Sequence, residues 1–206
     1  MRPFFQGRMA RASVTALVVL ASALGLAARE MRTSAAPVVY GHVPDFRLLD
    51  QRGDAFAPAS MQGHPSVVDF IFTRCASSCP RLTERMGHLQ ERFARERSTT
   101  HLVSFSVDPE NDTPAVLSEY ASRAHADPAR WAFVTGPVDD VMRTVVLGFK
   151  VSAAKIARGA GDYDVTHGDW FVLVDGRGDL RGYYASDDPV ELEKLVADAR
   201  RVEQDP

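Results

Sequence analysis

Cysteine is nearly absent: the chain of 206 residues holds two, Cys75 and Cys79. A structural zinc site normally takes four protein ligands, so two sulfurs argue against one. A basic excess is missing too. The formal charge is −3 and the isoelectric point about 6.1, which leaves no broad positive field for nucleic acid or an anionic surface. There is no internal repeat and no low-complexity stretch. Methionine shows no ligand-like spacing. Met86 falls on the apolar face of a helical pattern, Met142 in a helix interior and Met61 near a turn, so gap filling is their ordinary role. Lysine is scarce beside arginine, a bias of genome composition that carries no functional reading.

The two cysteines stand in Phe70-Ile71-Phe72-Thr73-Arg74-Cys75-Ala76-Ser77-Ser78-Cys79-Pro80. Ser66 to Phe72 is apolar and β-branched enough for a buried strand, and an amphipathic helical pattern follows. The pair thus sits where a strand hands over to a helix N-terminus, whose N–H groups and dipole favour thiolate over thiol. Residues four apart on a helix share a face, so both sulfurs can meet one partner. Cys75, nearer the exposed end, is expected to be the more acidic and reactive thiol, with Cys79 resolving. Three partners fit: a soft metal ion, each other, or an external disulfide. The plain alternative is two small buried side chains that fall four apart by coincidence.

One long uncharged apolar run exists, residues 12–28, preceded by Arg2, Arg8 and Arg11 and closed by Arg29, Glu30 and Arg32. At about 1.5 Å per residue it approaches the hydrocarbon thickness, with the flanking arginines able to snorkel. The leading arginines predict a cytoplasmic N-terminus and an exported remainder. An uncleaved anchor is the preferred reading and a cleaved signal sequence the competing one. The chain then divides into a basic segment 1–11, the anchor 12–28, a linker 29–40 and one domain, 41–206.

Within that domain, strands are predicted over Phe46–Asp50, Ala55–Ala57, Ser66–Phe72, His101–Val107, Trp131–Val134, Trp170–Val174 and Leu180–Ala185. A long helix buries Leu82, Met86, Leu89 and Phe93. Thr113 caps a second helix with Pro114 at its first position, Pro137–Phe149 forms a third, and Asp188-Pro189 opens a last one. Alternating strands and helices that end in a hairpin and a helix, with a thiol pair at the first strand-to-helix junction, give a thioredoxin-like α/β fold. A spacing of four, not three, departs from thioredoxin and leaves room for a metal between the sulfurs.

Of the six histidines, His42, His64, His88, His101 and His125 read as solvated or satisfied surface residues. His167 differs. It follows Tyr163-Asp164-Val165-Thr166 as part of a loop before the C-terminal hairpin, and in a thioredoxin-like sheet that loop faces the thiol turn. An imidazole there can complete a site with two thiolates, a donor set suited to copper(I) and able to hold copper(II). A histidine that merely orders the loop is the alternative.

These residues bring the chain close to a known family. From about Val43 onward it resembles the SCO/SenC family, through Pro44-Asp45-Phe46-Arg47-Leu48, the thiol segment from Phe70 to Pro80, Ser106-Val107-Asp108-Pro109-Glu110-Asn111-Asp112-Thr113-Pro114, and the loop ending at His167. Phe46–Asp50 and Ala55–Ala57 read as an N-terminal β-hairpin across Gln51–Asp54, and the resemblance implies a peroxiredoxin-like variant of the thioredoxin fold, binding one copper ion through Cys75, Cys79 and His167. It implies a metallochaperone for the binuclear copper site of cytochrome c oxidase subunit II, or for another periplasmic copper protein, supplied by a copper donor chaperone. It also implies a single-pass anchor in a bacterial inner membrane with the domain in the periplasm. Two positions depart from the family pattern: Ala76 stands where proline is frequent, and Gly168 where a hydroxyl residue often follows the histidine, removing one candidate hydrogen bond behind the ring. Asp108 and Asp112 read as structural.

Two other functions use the same cysteines. A thiol–disulfide oxidoreductase could keep client cysteines reduced, and an oxidised pair cannot ligate through thiolates. A thiol peroxidase would use Thr73 and Arg74 beside Cys75 but has no need of a histidine at 167.

Overall fold

The computed structural model describes residues 38–75, 79–159, 162–167 and 169–204, with backbone alone across 153–167. The predicted anchor, most of the linker, and Ala76 and Gly168 lie outside the described residues.

Ten strands are found among the described residues: β1 Gly41–His42, β2 Leu48–Asp50, β3 Ala55–Phe56, β4 Ser66–Ile71, β5 His101–Ser106, β6 Trp131–Thr135, β7 Ala153–Gly159, β8 Asp162–His167, β9 Trp170–Val174 and β10 Asp179–Ala185. The helices are α1 Cys79–Arg95, α2 Pro114–Arg123, α3 Val138–Met142 and α4 Pro189–Gln204. Eight strands form one sheet in the order β1-β10-β9-β4-β5-β6-β2-β3, and β7 and β8 pair separately. β4, β5 and β6 run parallel, while β9 is antiparallel to β4. Every residue of β4 is buried, as expected of a central strand covered on both faces.

The sheet's two faces differ in chemistry because side chains alternate along a strand. Phe70 and its register partner Phe105 join Phe149, Phe46 and Phe56 in an aromatic cluster, with ring centroids 5.1–6.4 Å apart. Asp69 and Ser104, also register partners, point the other way. On that side α1 is tied to α4 by Arg92, whose guanidinium donates to both oxygens of Glu193 at 2.5 and 2.8 Å. It is tied to α2 by the 2.7 Å contact of the Thr83 and Tyr120 hydroxyls. Leu82, Met86, Leu89 and Phe93 of α1 are buried, the stripe the periodicity predicts.

Two predicted elements change. The helix predicted over Pro137–Phe149 is α3 followed by one wide π turn, Arg143–Gly148, in which Phe149 N–H donates to Thr144 O, five residues back. The Thr144 hydroxyl donates to the Asp140 carbonyl at 2.7 Å, and Gly148 lies against Pro44, so closely that a β-carbon would fall 2.4 Å from the proline ring. The residues before His167, predicted as loop, form β8, with Ala153 opposite His167 in β7. Ala-Ala-Lys-Ile-Ala-Arg-Gly carries almost no β-branched signal, so the pairing was not visible. His42 lies in β1, an unpredicted strand paired with β10.

Candidate metal centre

The parallel pair β4 and β5 delivers two loops to one end of the sheet, and β9 brings a third segment there from the opposite direction. Val68 of β4 is in register with Val172 of β9, so the start of β9 lies beside the end of β4. Cys75 follows that end by four residues, and His167 precedes Trp170 by three. Strand register therefore brings the backbone of the thiol segment and of the His167 segment to the same end.

Cys75 is not on the helix. It closes a turn in which its N–H donates to Phe72 O at 3.2 Å, and α1 begins at Cys79. The two cysteines therefore do not share a helix face as expected; they meet where the Cys79 N–H points at the Cys75 sulfur, at 3.4 Å. A backbone donor at a helix start stabilises negative charge on the sulfur it meets. Cys75 is part-exposed and Cys79 fully buried. Burial pushes the Cys79 thiol far up, against the pull of a backbone hydrogen bond from the Phe72 region, and the neighbouring Cys75 and Asp69 add to the rise. The buried sulfur accordingly needs a cation or an acceptor to give up its proton.

The loop between β5 and α2 braces the thiol turn. Asp112, fully buried, accepts from the Thr73 N–H at 3.1 Å, the Thr73 hydroxyl at 2.5 Å and the Ser106 hydroxyl at 2.6 Å. Desolvation raises its pKa from the ordinary aspartate value, these hydrogen bonds oppose the rise, and the nearby Asp108 adds to it. Arg74, exposed, donates to buried Asp108 at 3.0 Å. Asp108 also receives the Asn111 amide. The reading of Asp108 and Asp112 as structural holds, with a sharper role: they hold the two residues that precede Cys75. The Thr113 hydroxyl accepts from Val116 N–H and caps α2, as predicted.

Sequence reasoning missed Asp69. It is fully buried, lies close enough to the Ser104 hydroxyl to feel it, and makes no hydrogen bond of acceptable geometry. Desolvation raises its pKa to about 7. A charged residue inside an otherwise apolar strand, Ser66-Val67-Val68-Asp69-Phe70-Ile71, was the available signal. The other histidines are placed elsewhere. His42 Nδ1 meets Asp179 at 3.0 Å, and His64 stacks on His101 with ring centroids 3.6 Å apart, at the opposite end of β4 and β5. His88 and His125 line an open groove of about 610 Å³ between α1 and α2 that reaches Cys75. Among the described residues, no three His, Cys, Asp or Glu side chains gather as a metal cage. The His167 side chain is outside that description, so the centre rests on two placed sulfurs and one placed backbone segment.

The family model described as SCO1/SenC matches residues 37–203. The SCO1 protein homolog of Bacillus subtilis is 30% identical over 158 residues, covering 77% of this chain and 81% of that one. The structure of Bradyrhizobium japonicum ScoI with copper bound is similar at 26% identity and a TM-score of 0.66, covering 82% of this chain and 99% of that one. BsSco, described with a disulfide switch and as a member of the Sco family of cytochrome c oxidase assembly proteins, is similar at 29% identity and a TM-score of 0.70, covering 82% and 96%.

Proposed function

The chain belongs to the SCO1/SenC family, and from that premise we propose that it carries one copper ion on Cys75, Cys79 and His167 toward the copper site of cytochrome c oxidase subunit II. The observation that carries this reading is the Cys79 N–H aimed at the Cys75 sulfur at 3.4 Å, with the His167 strand arriving at the same end of the sheet. Copper is cargo here. Two thiolates and an imidazole form a soft donor set that suits copper(I) and can also hold copper(II). The protein's own task is to hold the thiol turn, through Thr73 and Arg74, and to exclude water from Cys79. Residues 12–28 anchor the chain in a bacterial inner membrane, with the domain in the periplasm. A donor chaperone supplies the metal there.

Anaerobic titration of the reduced protein tests the site. One copper per chain is expected, with a sulfur-to-copper(II) charge-transfer band. His167→Ala is expected to lose copper(II) selectively, since a two-coordinate thiolate pair still suits copper(I), while His88→Ala leaves binding unchanged. Equal loss from both variants, or none from His167→Ala, contradicts the ligand set.

One observation favours a second, compatible reading. The exposure difference between Cys75 and Cys79 is that of an attacking and a resolving thiol. The Cys75 thiolate would attack a client disulfide, releasing one client thiolate and forming a mixed disulfide. Cys79 would then attack the Cys75 sulfur, releasing the second client thiol and leaving the pair oxidised. An oxidised pair takes no copper through thiolates, so the two activities alternate.

A further inference from the structure

Among the described residues, a concentrated aromatic surface lies away from the thiol turn's own groove. Tyr40 is 52% exposed and Trp170 43%. The Tyr40 ring meets Tyr183 edge-on at 5.8 Å. With Lys150, Val151 and Ser152 these residues line a shallow concavity of about 580 Å³. Lys150 donates to the Tyr40 carbonyl at 2.8 Å, which fixes its ammonium at the rim. Val38 and Val39, 67% and 51% exposed, lead into the patch along the chain. Tyrosine and tryptophan beside lysine is the composition that settles at a membrane's headgroup level, with apolar rings inward and polar edges in water.

We infer that the face formed by Tyr40, Trp170, Tyr183 and Lys150 lies against the lipid headgroup surface, a proposal that rests on reading residues 12–28 as an uncleaved anchor. Chain length selects this occupant. Nine residues, 29–37, separate the apolar run from Val38, a reach of at most about 32 Å at full extension. Tyr40 follows two residues later, so the aromatic face is the part of the domain tied most closely to the bilayer. A short tether gives an effective concentration on the order of millimolar, at which even a millimolar affinity leaves the face docked about half the time. Residues 41–206 carry 19 Lys and Arg against 26 Asp and Glu, a formal charge of −7. The tether and the aromatic rings therefore hold the face at the headgroups against repulsion from anionic lipid, to which Asp169 beside Trp170 adds. Docking here has a consequence for the site. Ser152 and Asp169 flank the β7–β8 pair, so the strand that ends at His167 would leave directly from the membrane-facing surface.

The chain's two tryptophans make the test direct, because Trp131 is buried, at 1% exposure, and Trp170 is not. Full-length protein is reconstituted in phosphatidylethanolamine and phosphatidylglycerol vesicles carrying a nitroxide at headgroup depth, and its fluorescence is compared with that of Trp170→Phe. The expected result is about a twofold loss of the Trp170 component to the labelled lipid, with matching protection from acrylamide. Tyr40→Ser is expected to reverse both. Protein that floats with the vesicles while Trp170 stays open to acrylamide and unquenched by lipid overturns the proposal. Protein that fails to float overturns the anchor reading and this proposal with it. Shielding of Trp170 that persists in detergent and grows with protein concentration assigns the face to a second copy instead, and likewise overturns it.

Discussion

Asp112 concentrates more of the site's order than either cysteine does. Three donors, the Thr73 N–H, the Thr73 hydroxyl and the Ser106 hydroxyl, converge on its buried carboxyl. Removing the acceptor strands the Ser106 hydroxyl in the interior and the two Thr73 donors at a part-buried position, and each costs its own desolvation. Asp112→Ala is therefore expected to lower stability by about 2–4 kcal/mol, measured by urea unfolding. Copper affinity should fall as well, because Thr73 fixes the turn that presents Cys75. Asp112→Asn keeps the shape and one acceptor oxygen, so its loss on both readouts should be smaller. An alanine variant of unchanged copper affinity would show that the turn orders itself. Asp69 poses the opposite case, a carboxyl with no hydrogen bond to lose. Its desolvated state is a standing cost that any proton it holds relieves.

At the scale of elements, what the sequence reveals and what it conceals divide along the source of each element's order. Except for the two-residue β1, the strands of the large sheet are legible because they bury apolar side chains, as in Val67, Val68, Phe70 and Ile71. α1 is legible because its stripe repeats at helical spacing, and α2 because Thr113 and Pro114 are a local start signal. The thiol pair and His167 could be picked out as candidates, although the geometry joining Cys75 to Cys79 could not: it is made by a turn contact and not by a shared helix face. β7 and β8 pair with each other; Tyr163 and Val165 alternate with Asp162, Asp164 and Thr166, but Ala153–Gly159 has Ile156 as its single β-branched residue, so the sequence offers no evident partner strand. The π turn is hidden for a different reason. It depends on Gly148 meeting Pro44, about a hundred residues away in sequence, and no local window contains that contact. Gly148→Ala is expected to cost about 1–3 kcal/mol, since a β-carbon would overlap the proline ring and force the turn outward. Urea unfolding measures it, and an unchanged midpoint would mean that the turn has room the structure does not show.

For the whole molecule, two buried groups on the same two strands set opposing responses to pH. His101, half-buried, has its pKa lowered to about 4 by desolvation first, then by the adjacent His64 and Arg130, with Asp127 opposing. Its folded pKa lies below the ordinary value near 6.5, so between those values the unfolded chain takes up a proton that the native state refuses. Its contribution to stability is complete above about 6.5 and declines as pH falls toward 4. Asp69, raised to about 7 by burial, does the reverse. The native state keeps a proton that the unfolded chain releases, so its contribution is complete below about 4 and is lost as pH rises through 7. Each slope has a ceiling of about 1.4 kcal/mol per pH unit, reduced for His101 by its partial exposure. The two windows overlap almost entirely, and the slopes have opposite signs. His101→Gln should therefore make stability fall more steeply, relative to the wild type, as pH rises from 4.5 to 6.5. Asp69→Asn should make it rise more steeply over the same range. Three residues of strand, about 10 Å, separate the two positions along β4 and β5, far enough for their effects to add. The double variant should then return close to the wild-type slope in urea midpoints taken at both pH values. Profiles for the two single variants that run parallel to each other would mean that neither group carries the charge its burial implies.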